Sequence, residues 1–496
     1  MDNYVLLNQE TLMKLKAKLV AILFILCVFD NLTAQNVHPS FEPLFQIDKI
    51  DSADDVFEAA LLFSECERES ETWNSCRHQF ETIKTDVTSS SIIDLEEEER
   101  GKAILKYLYQ NYLKAYSLNQ TKIDVALETG TYNCVSSAVL YMVAAKAAGL
   151  EVRGQSTSQH AFCSIYIEDE KSGKPKRIDV ETTNPYGFNP GSKEEIEHEN
   201  QIKKYYVVPK KYYSNRQEVS DGVFVGLIAG NLCADYIKSG DYTKALPLGA
   251  ARWDVVKNEP VKSVASVRNS FDILAANYVN LLPPSATSYF STLDWFSAFI
   301  DRWGSTDFLQ KNLDSSIINL LVLCFQEKNY PLAREAYEKY KTKLSPSQIT
   351  KSEEIITDTI IITATDGLPP EQKVEEINHL LSSDELANSA RQNRANLHLE
   401  SYWLEYLNQL MNSRNFELGY TNASIALNQL PKSTKIKAMQ NGFYNNQIAT
   451  IHNSFAKQAN ARNFEAAQAL LEEGLGKYPN DKTLKKDMAD LLKVKN

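Results

Sequence analysis

Two hydrophobic periods divide the chain. From Ser52 to Lys84 apolar residues recur at helical spacing: Val56, Ala59, Ala60, Leu61 and Phe63, then Trp73, Phe80 and Ile83 on a second helix. Asp86 to Ser91 is a turn-rich break, and Leu95 to Ser117 reads as a further helix with Ile104, Leu105, Leu108, Tyr109 and Tyr112 on one stripe. Val135 to Ala148 has no polar face. It is built from small and apolar residues, which predicts a helix buried in the core, with Gly149 at its C′ position. Beyond it the period becomes two. Ala161, Cys163, Ile165 and Ile167 alternate with His160, Phe162, Ser164 and Tyr166. After the polar turn 169–175, Ile178 and Val180 alternate with Asp179 and Glu181, which predicts a β-hairpin; a third strand is expected within Lys204 to Val208.

From Ser220 onward the pattern is helical and weakly repetitive. A helix end, a basic or small residue, Asn or Asp, an aromatic and a new helix recur at Gly240-Asp241-Tyr242, Lys328-Asn329-Tyr330, Arg414-Asn415-Phe416 and Arg462-Asn463-Phe464. These pieces resemble tetratricopeptide repeats, helix–turn–helix units of about 34 residues; their irregular spacing leaves a generic helical bundle as the alternative.

The N-terminus reads as a signal peptide over residues 1–34. Lys14, Lys16 and Lys18 precede an apolar run from Leu19 to Phe29, which is too short to span a bilayer comfortably, and cleavage is placed after Ala34. The mature chain is therefore expected to be exported, periplasmic or secreted, with no membrane association after cleavage. Residues 35–215 and 216–496 are the two expected domains.

Composition narrows the function. With 43% apolar and 24% charged residues the chain is of ordinary globular type, and a formal net charge of −11 argues against nucleic acid as a partner. HExxH, GxxxxGK and GxGxxG patterns are lacking, so no metal or organic cofactor is implied. Cys66 and Cys76 flank a polar segment and read either as a small disulfide or as two unpaired thiols, whereas Cys233 and Cys324 sit in apolar helical patterns as core residues.

The candidate chemistry lies where the two periods meet. Gly130-Thr131-Tyr132-Asn133 is a turn, and Cys134 follows it at the start of the buried helix, where the helix dipole and free N–H groups favour a thiolate and receive an oxyanion. Alternation puts His160 and Asp179 on the same face of the hairpin. Pairing 160 with 179 makes Cys134 the nucleophile, His160 the base and Asp179 the orienter, with Glu181 as the runner-up orienter. Gln120 is the upstream side chain considered as an oxyanion donor, against a solvated position in its polar turn.

Asn133-Cys134, His160-Ala161-Phe162 and the stretch from Ile178 to Thr183 together resemble the transglutaminase-like superfamily, with its papain-type order of cysteine, histidine and aspartate. The resemblance covers roughly residues 95–208. It implies an α+β core, a central helix on an antiparallel sheet, followed here by the all-α repeat domain. It also implies catalytic roles for Cys134, His160 and Asp179 in acyl transfer or hydrolysis at an amide of a protein or peptide, while the repeats would bind a protein partner. Two rivals remain: a catalytically inactive scaffold of the same fold, and an enzyme acting on peptidoglycan.

Overall fold

The computed structural model describes residues 38–168, 173–190, 215–281 and 285–495, so the expected signal peptide and the strand expected within 204–208 lie outside the described residues. The protein is mostly helical and carries a four-stranded sheet of order β5-β4-β3-β6, antiparallel throughout. Its strands are β3 (Glu151–Ser156), β4 (Ala161–Ile167), β5 (Lys176–Val180) and β6 (Gln217–Val219). A two-residue parallel pair, β1 (Ala115–Tyr116) with β2 (Thr131–Tyr132), stands apart from it.

The helices that matter to the core are α1 (Ala53–Phe63), α2 (Glu71–Val87), α3 (Glu97–Asn111), α4 (Ile123–Thr129) and α5 (Cys134–Ala147). In α5, 11 of 14 residues are buried, because it lies between β3 and β4 on one side and α1, α2 and α3 around it. A helix enclosed in this way needs apolar or small residues all round, and that is the composition read from its sequence. Its C-terminus closes as predicted, with Gly149 at φ 76° and the Leu150 N–H donating to the Ala145 carbonyl at 3.0 Å.

The chain forms two compact units, Met1–Pro283 with Ser291–Leu309, and Pro284–Phe290 with Gln310–Asn496. The boundary expected at 215/216 falls within the first of these units. Helices α6 (Asp221–Val225), α7 (Leu227–Ser239) and α8 (Tyr242–Val256) follow that point, yet Phe224, Ile228, Ala229, Cys233, Leu248 and Ala251 belong to the same apolar core as Val139 and Ile165. Burial of α5 and the sheet thus requires helices that the repeat pattern assigned elsewhere. Cys66 and Cys76 are both free and buried; burial raises both thiols, Cys76 to about 12.

The recurring turn has one backbone geometry at all four sites. The residue before Asn or Asp is left-handed: Gly240 at φ 76°, Lys328 at 55°, Arg414 at 60° and Arg462 at 62°. The next N–H reaches back five residues at each site. Asp241 donates to the Tyr236 carbonyl at 2.9 Å, Asn329 to Cys324 at 2.8 Å, Asn415 to Leu410 at 3.0 Å and Asn463 to Gln458 at 2.9 Å. A new helix then starts on the aromatic residue, at Tyr242, Tyr330, Phe416 and Phe464. This is a Schellman closure run directly into the next helix; the Asp241 and Asn463 side chains cap that helix by accepting from the Lys244 and Ala466 N–H groups, whereas those of Asn329 and Asn415 make no cap hydrogen bond. Three of the four sites hold a long basic side chain where glycine is free of strain. We predict that Arg414→Gly and Lys328→Gly each stabilise the second unit by about 0.5–1 kcal/mol. Gly240→Ala, where a Cβ meets nothing within 4 Å, should destabilise the first unit by about 1 kcal/mol through backbone strain alone. Thermal or urea unfolding of each variant checks both signs.

Candidate active site

Cys134 is presented by two turns. Helix α4 ends at Gly130, which is left-handed at φ 74° and so tightly enclosed that a Cβ would lie 2.8 Å from the Tyr112 carbonyl oxygen. The Gly130 carbonyl accepts from the Lys114 and Ala115 N–H groups, and the β1–β2 pair then carries the chain to Asn133. Asn133 is the N-cap of α5. Its Oδ1 accepts from the N–H of Val135 at 2.9 Å and of Ser136 at 3.0 Å, while Ser136 Oγ accepts from the Asn133 N–H at 2.9 Å. The cap consumes the two N–H groups that follow Cys134. The Cys134 N–H itself has no acceptor among the described residues and remains available at the positive end of the helix.

His160 sits immediately before β4 and is 5% exposed. Its carbonyl is held by the Thr157 N–H at 2.8 Å and hydroxyl at 3.1 Å. Its Nε2 lies 2.7 Å from Glu181 Oε2, and the ring also makes a side-chain hydrogen bond with Cys134. With Nε2 held by Glu181, Nδ1 is the nitrogen left for the thiol. Burial works against a charged ring, but the hydrogen bonds with Cys134 and Glu181 and their negative charges outweigh it and hold the imidazolium up to about 10.

The carboxylate beside His160 is therefore Glu181, not the expected Asp179. The hairpin register accounts for the difference. Ser164, rather than His160, faces Asp179, and Cys163 faces Val180, so the register continued places Glu181 opposite Phe162, within diagonal reach of His160. Phe162 touches His160 and the Arg216 that pairs with Asp179. Its ring stacks on His160 at a centroid separation of 6.0 Å, and the Arg216 guanidinium lies 5.7 Å over it. Asp179 is engaged elsewhere: it accepts from Ser164 Oγ at 2.8 Å and pairs with Arg216.

Glu181 is 1% exposed and positioned twice over. Its Oε1 accepts from the Thr183 N–H at 3.0 Å and hydroxyl at 2.7 Å, and its own N–H donates to the Gly187 carbonyl at 2.8 Å. At Gly187 a Cβ would fall 2.0 Å from the Glu181 carbonyl oxygen, so the backbone around the carboxylate closes only over a glycine. Within Asn184–Pro190, whose composition is that of an ordinary turn, this is the functional signal the sequence carried. Gln120 is not part of the site: its Nε2 donates to the Lys122 and Thr131 carbonyls and fastens the loop ahead of β2.

Cys134 and His160 open onto a cleft of about 360 Å³. Leu118 and Asn119 border it on one side, Ser158 and Gln159 on another, and Asn231 and Asp235 of α7 on a third. A partly exposed thiol at a helix N-terminus, a buried charged imidazole and a buried carboxylate form an arrangement able to attack a carbonyl carbon and shuttle the proton of its leaving group. Among the described residues no cluster of His, Cys, Asp and Glu has the geometry to hold a metal ion. No family model, curated protein or solved structure matches this chain.

Two substitutions separate the carboxylates. Glu181→Gln keeps the shape and removes the charge. It should lower the pKa of His160, read by NMR titration of the ring, from about 10 toward the ordinary value near 6.5, whereas Asp179→Asn should leave that titration in place. Gly187→Ala should act like Glu181→Gln through displacement of the backbone, with the loss visible in the same His160 titration.

Proposed function

We propose that this chain is an exported transglutaminase-like cysteine enzyme that acts on the amide of a protein or peptide. The first 34 residues would serve as its signal peptide, and tetratricopeptide-like helical repeats would bind a protein partner. The observation that carries the reading is the Cys134–His160–Glu181 chain of hydrogen bonds at the mouth of the cleft. Further support comes from the helix with Cys134 at its N-terminus packed on an antiparallel sheet, and from the uniform closure of the helix–turn–helix pieces.

The reaction follows from those groups. The Cys134 thiolate attacks the amide carbonyl carbon, forming a C–S bond and a tetrahedral oxyanion that the free Cys134 N–H receives. As the intermediate collapses, the C–N bond breaks, and the His160 imidazolium gives its proton to the departing nitrogen. A thioester remains on Cys134 and the imidazole is neutral. Water or a primary amine then yields a proton to His160 and attacks the thioester, which releases the acid or the new amide and restores the thiolate. Glu181 fixes the ring so that one nitrogen faces the sulfur throughout, and it stabilises the imidazolium present before the amine departs and again after water or amine has given up its proton.

The test uses iodoacetamide labelling, then a glutaminyl peptide with and without a primary amine. Labelling is expected at Cys134 in preference to the five buried cysteines, and His160→Ala should slow it strongly. Turnover should vanish in Cys134→Ala and fall by about 10²–10⁴ in His160→Ala. Because His160 is raised, the imidazolium persists below its folded pKa and is lost above it. The alkaline limb of the rate should therefore lie near pH 10, and move down in Glu181→Gln. Slow labelling of Cys134 that does not respond to His160→Ala would transfer the reading to a catalytically inactive scaffold of the same fold.

A further inference from the structure

Away from the cleft, the first unit contains a second cavity, of about 220 Å³, between α7, α8 and the helix α9 (Val261–Asn280). Its walls are apolar: Ile237 from α7, and Val267, Phe271, Ile273 and Leu274 from α9. One charged side chain lines it, Arg252 of α8, and no carboxylate does.

Arg252 is half-buried, and its Nε is shielded from solvent with no acceptor. Among the described residues the guanidinium has no hydrogen-bond or ion-pair partner. By contrast, Arg153, Arg268, Arg391 and Arg394 all meet carboxylates. Burial depresses its pKa, and the neighbouring group that opposes this is the Cys233 thiol, itself pushed up to about 12 by burial. A guanidinium stays charged in proteins, so one whose Nε is cut off from both water and a counter-charge lacks the partner such a group ordinarily has.

The surroundings preserve room for it. At Gly230 a Cβ would lie 2.8 Å from Arg252 Nη1 and 3.0 Å from Cζ, so a side chain there would push the guanidinium out of its present place beside α7. At Gly249 a Cβ would lie 2.8 Å from Leu274 Cδ2 and close the cavity from the α8 side. Two helix-interior glycines, each unfavourable by about 1 kcal/mol relative to alanine, are spent on the shape of one cavity.

We propose that this cavity binds a small monocarboxylate with an apolar tail, its carboxylate paired to Arg252 and its tail against Phe271 and Leu274. At ~30 Å³ for each water-sized group the space holds about seven of them, close to the size of a five- or six-carbon acid. The planar, forked donors of Arg252 match a carboxylate edge-on, and the apolar walls select against a bare inorganic anion. The site is separate from Cys134 and stands whether or not the reaction proposed above takes place.

Titration calorimetry of the full chain with hexanoate tests it, with 1-hexanol and acetate as probes of the two halves of the ligand. Hexanoate should bind saturably at one site, and each of the other two at least tenfold more weakly. Arg252→Met should abolish hexanoate binding while the protein melts at the same temperature or higher, since a half-buried charge has been replaced by an apolar chain of similar length. Should that variant fail to fold, Ser270→Phe supplies the second measurement. Ser270 lines the cavity from an exposed position on α9, and the ring would block the cavity without disturbing the core. No saturable binding of hexanoate, acetate binding as tight as hexanoate, or undiminished binding in Arg252→Met or Ser270→Phe would overturn the proposal.

Discussion

The buried contact between His160 and Glu181 is the constraint on which the first unit turns. Both side chains are almost wholly removed from water, so neither charge is tolerable without the other, and loss of one partner from such a pair typically costs 3–5 kcal/mol. The surrounding elements can be read as the means of meeting that demand. Thr183 supplies two donors to the second carboxylate oxygen, Gly187 lets the backbone close over it, and Phe162 stacks on the imidazole ring. Helix α5 then needs only to bring one thiol to the free side of the imidazole, and the Asn133 cap fixes where that thiol stands.

How much of this was legible in the sequence depended on how local the determining physics is. Cys134 was visible because a turn and an unbroken small-residue helix are local signals with few alternative readings. His160 was visible because strand alternation assigns its face. The choice between Asp179 and Glu181 was not local, since both lie on that face and the pairing register decides between them. The hairpin is centred two residues later than the pairing of 160 with 179 assumed, with Gly173 left-handed at φ 63°, and that shift replaces one carboxylate with the other. Strands β3 and β6 were missed for a related reason. Glu151–Ser156 contains Arg153, Gly154 and Gln155 and pairs on both edges, and Gly154 owes its place to the Phe224 ring lying where a Cβ would project.

The helical part shows the same division between local and distant determinants. The recurring basic-Asn-aromatic turn was readable, and its backbone repeats faithfully because the closure needs a left-handed residue and little else. The unit to which a given copy belongs was not readable. The turn at Gly240 has the same geometry as that at Arg414, yet the helices it joins complete the core around α5, whereas Phe416–Gln429 and Thr434–Asn460 pack on each other in the second unit. A repeated turn fixes how two helices join. Which surface they bury is set by apolar residues on the far faces, and Ile228, Ala229, Leu248 and Ala251 are too ordinary to announce their partners in advance.

Helix α7 joins these themes, because its two sides serve two cavities. Asn231, Asp235 and Lys238 border the cleft that holds Cys134, Gly230, Cys233 and Ile237 border the Arg252 cavity, and Ala234 touches both. A helix in that position couples the two spaces only if a ligand in one binds two settings of the helix with different affinity; contact alone transmits nothing. The packing limits the settings open to it. Gly230 holds the helix against the Arg252 guanidinium, Asn231 is tied to Thr121 Oγ1 at 3.1 Å, and Tyr236 Oη donates to Glu65 Oε2 at 2.5 Å. A carboxylate on Arg252 would neutralise that guanidinium beside α7 and leave those ties unchanged. The physical expectation for that ligand is therefore to stiffen α7 in its present place and preserve the wall of the cleft, and not to open or close it.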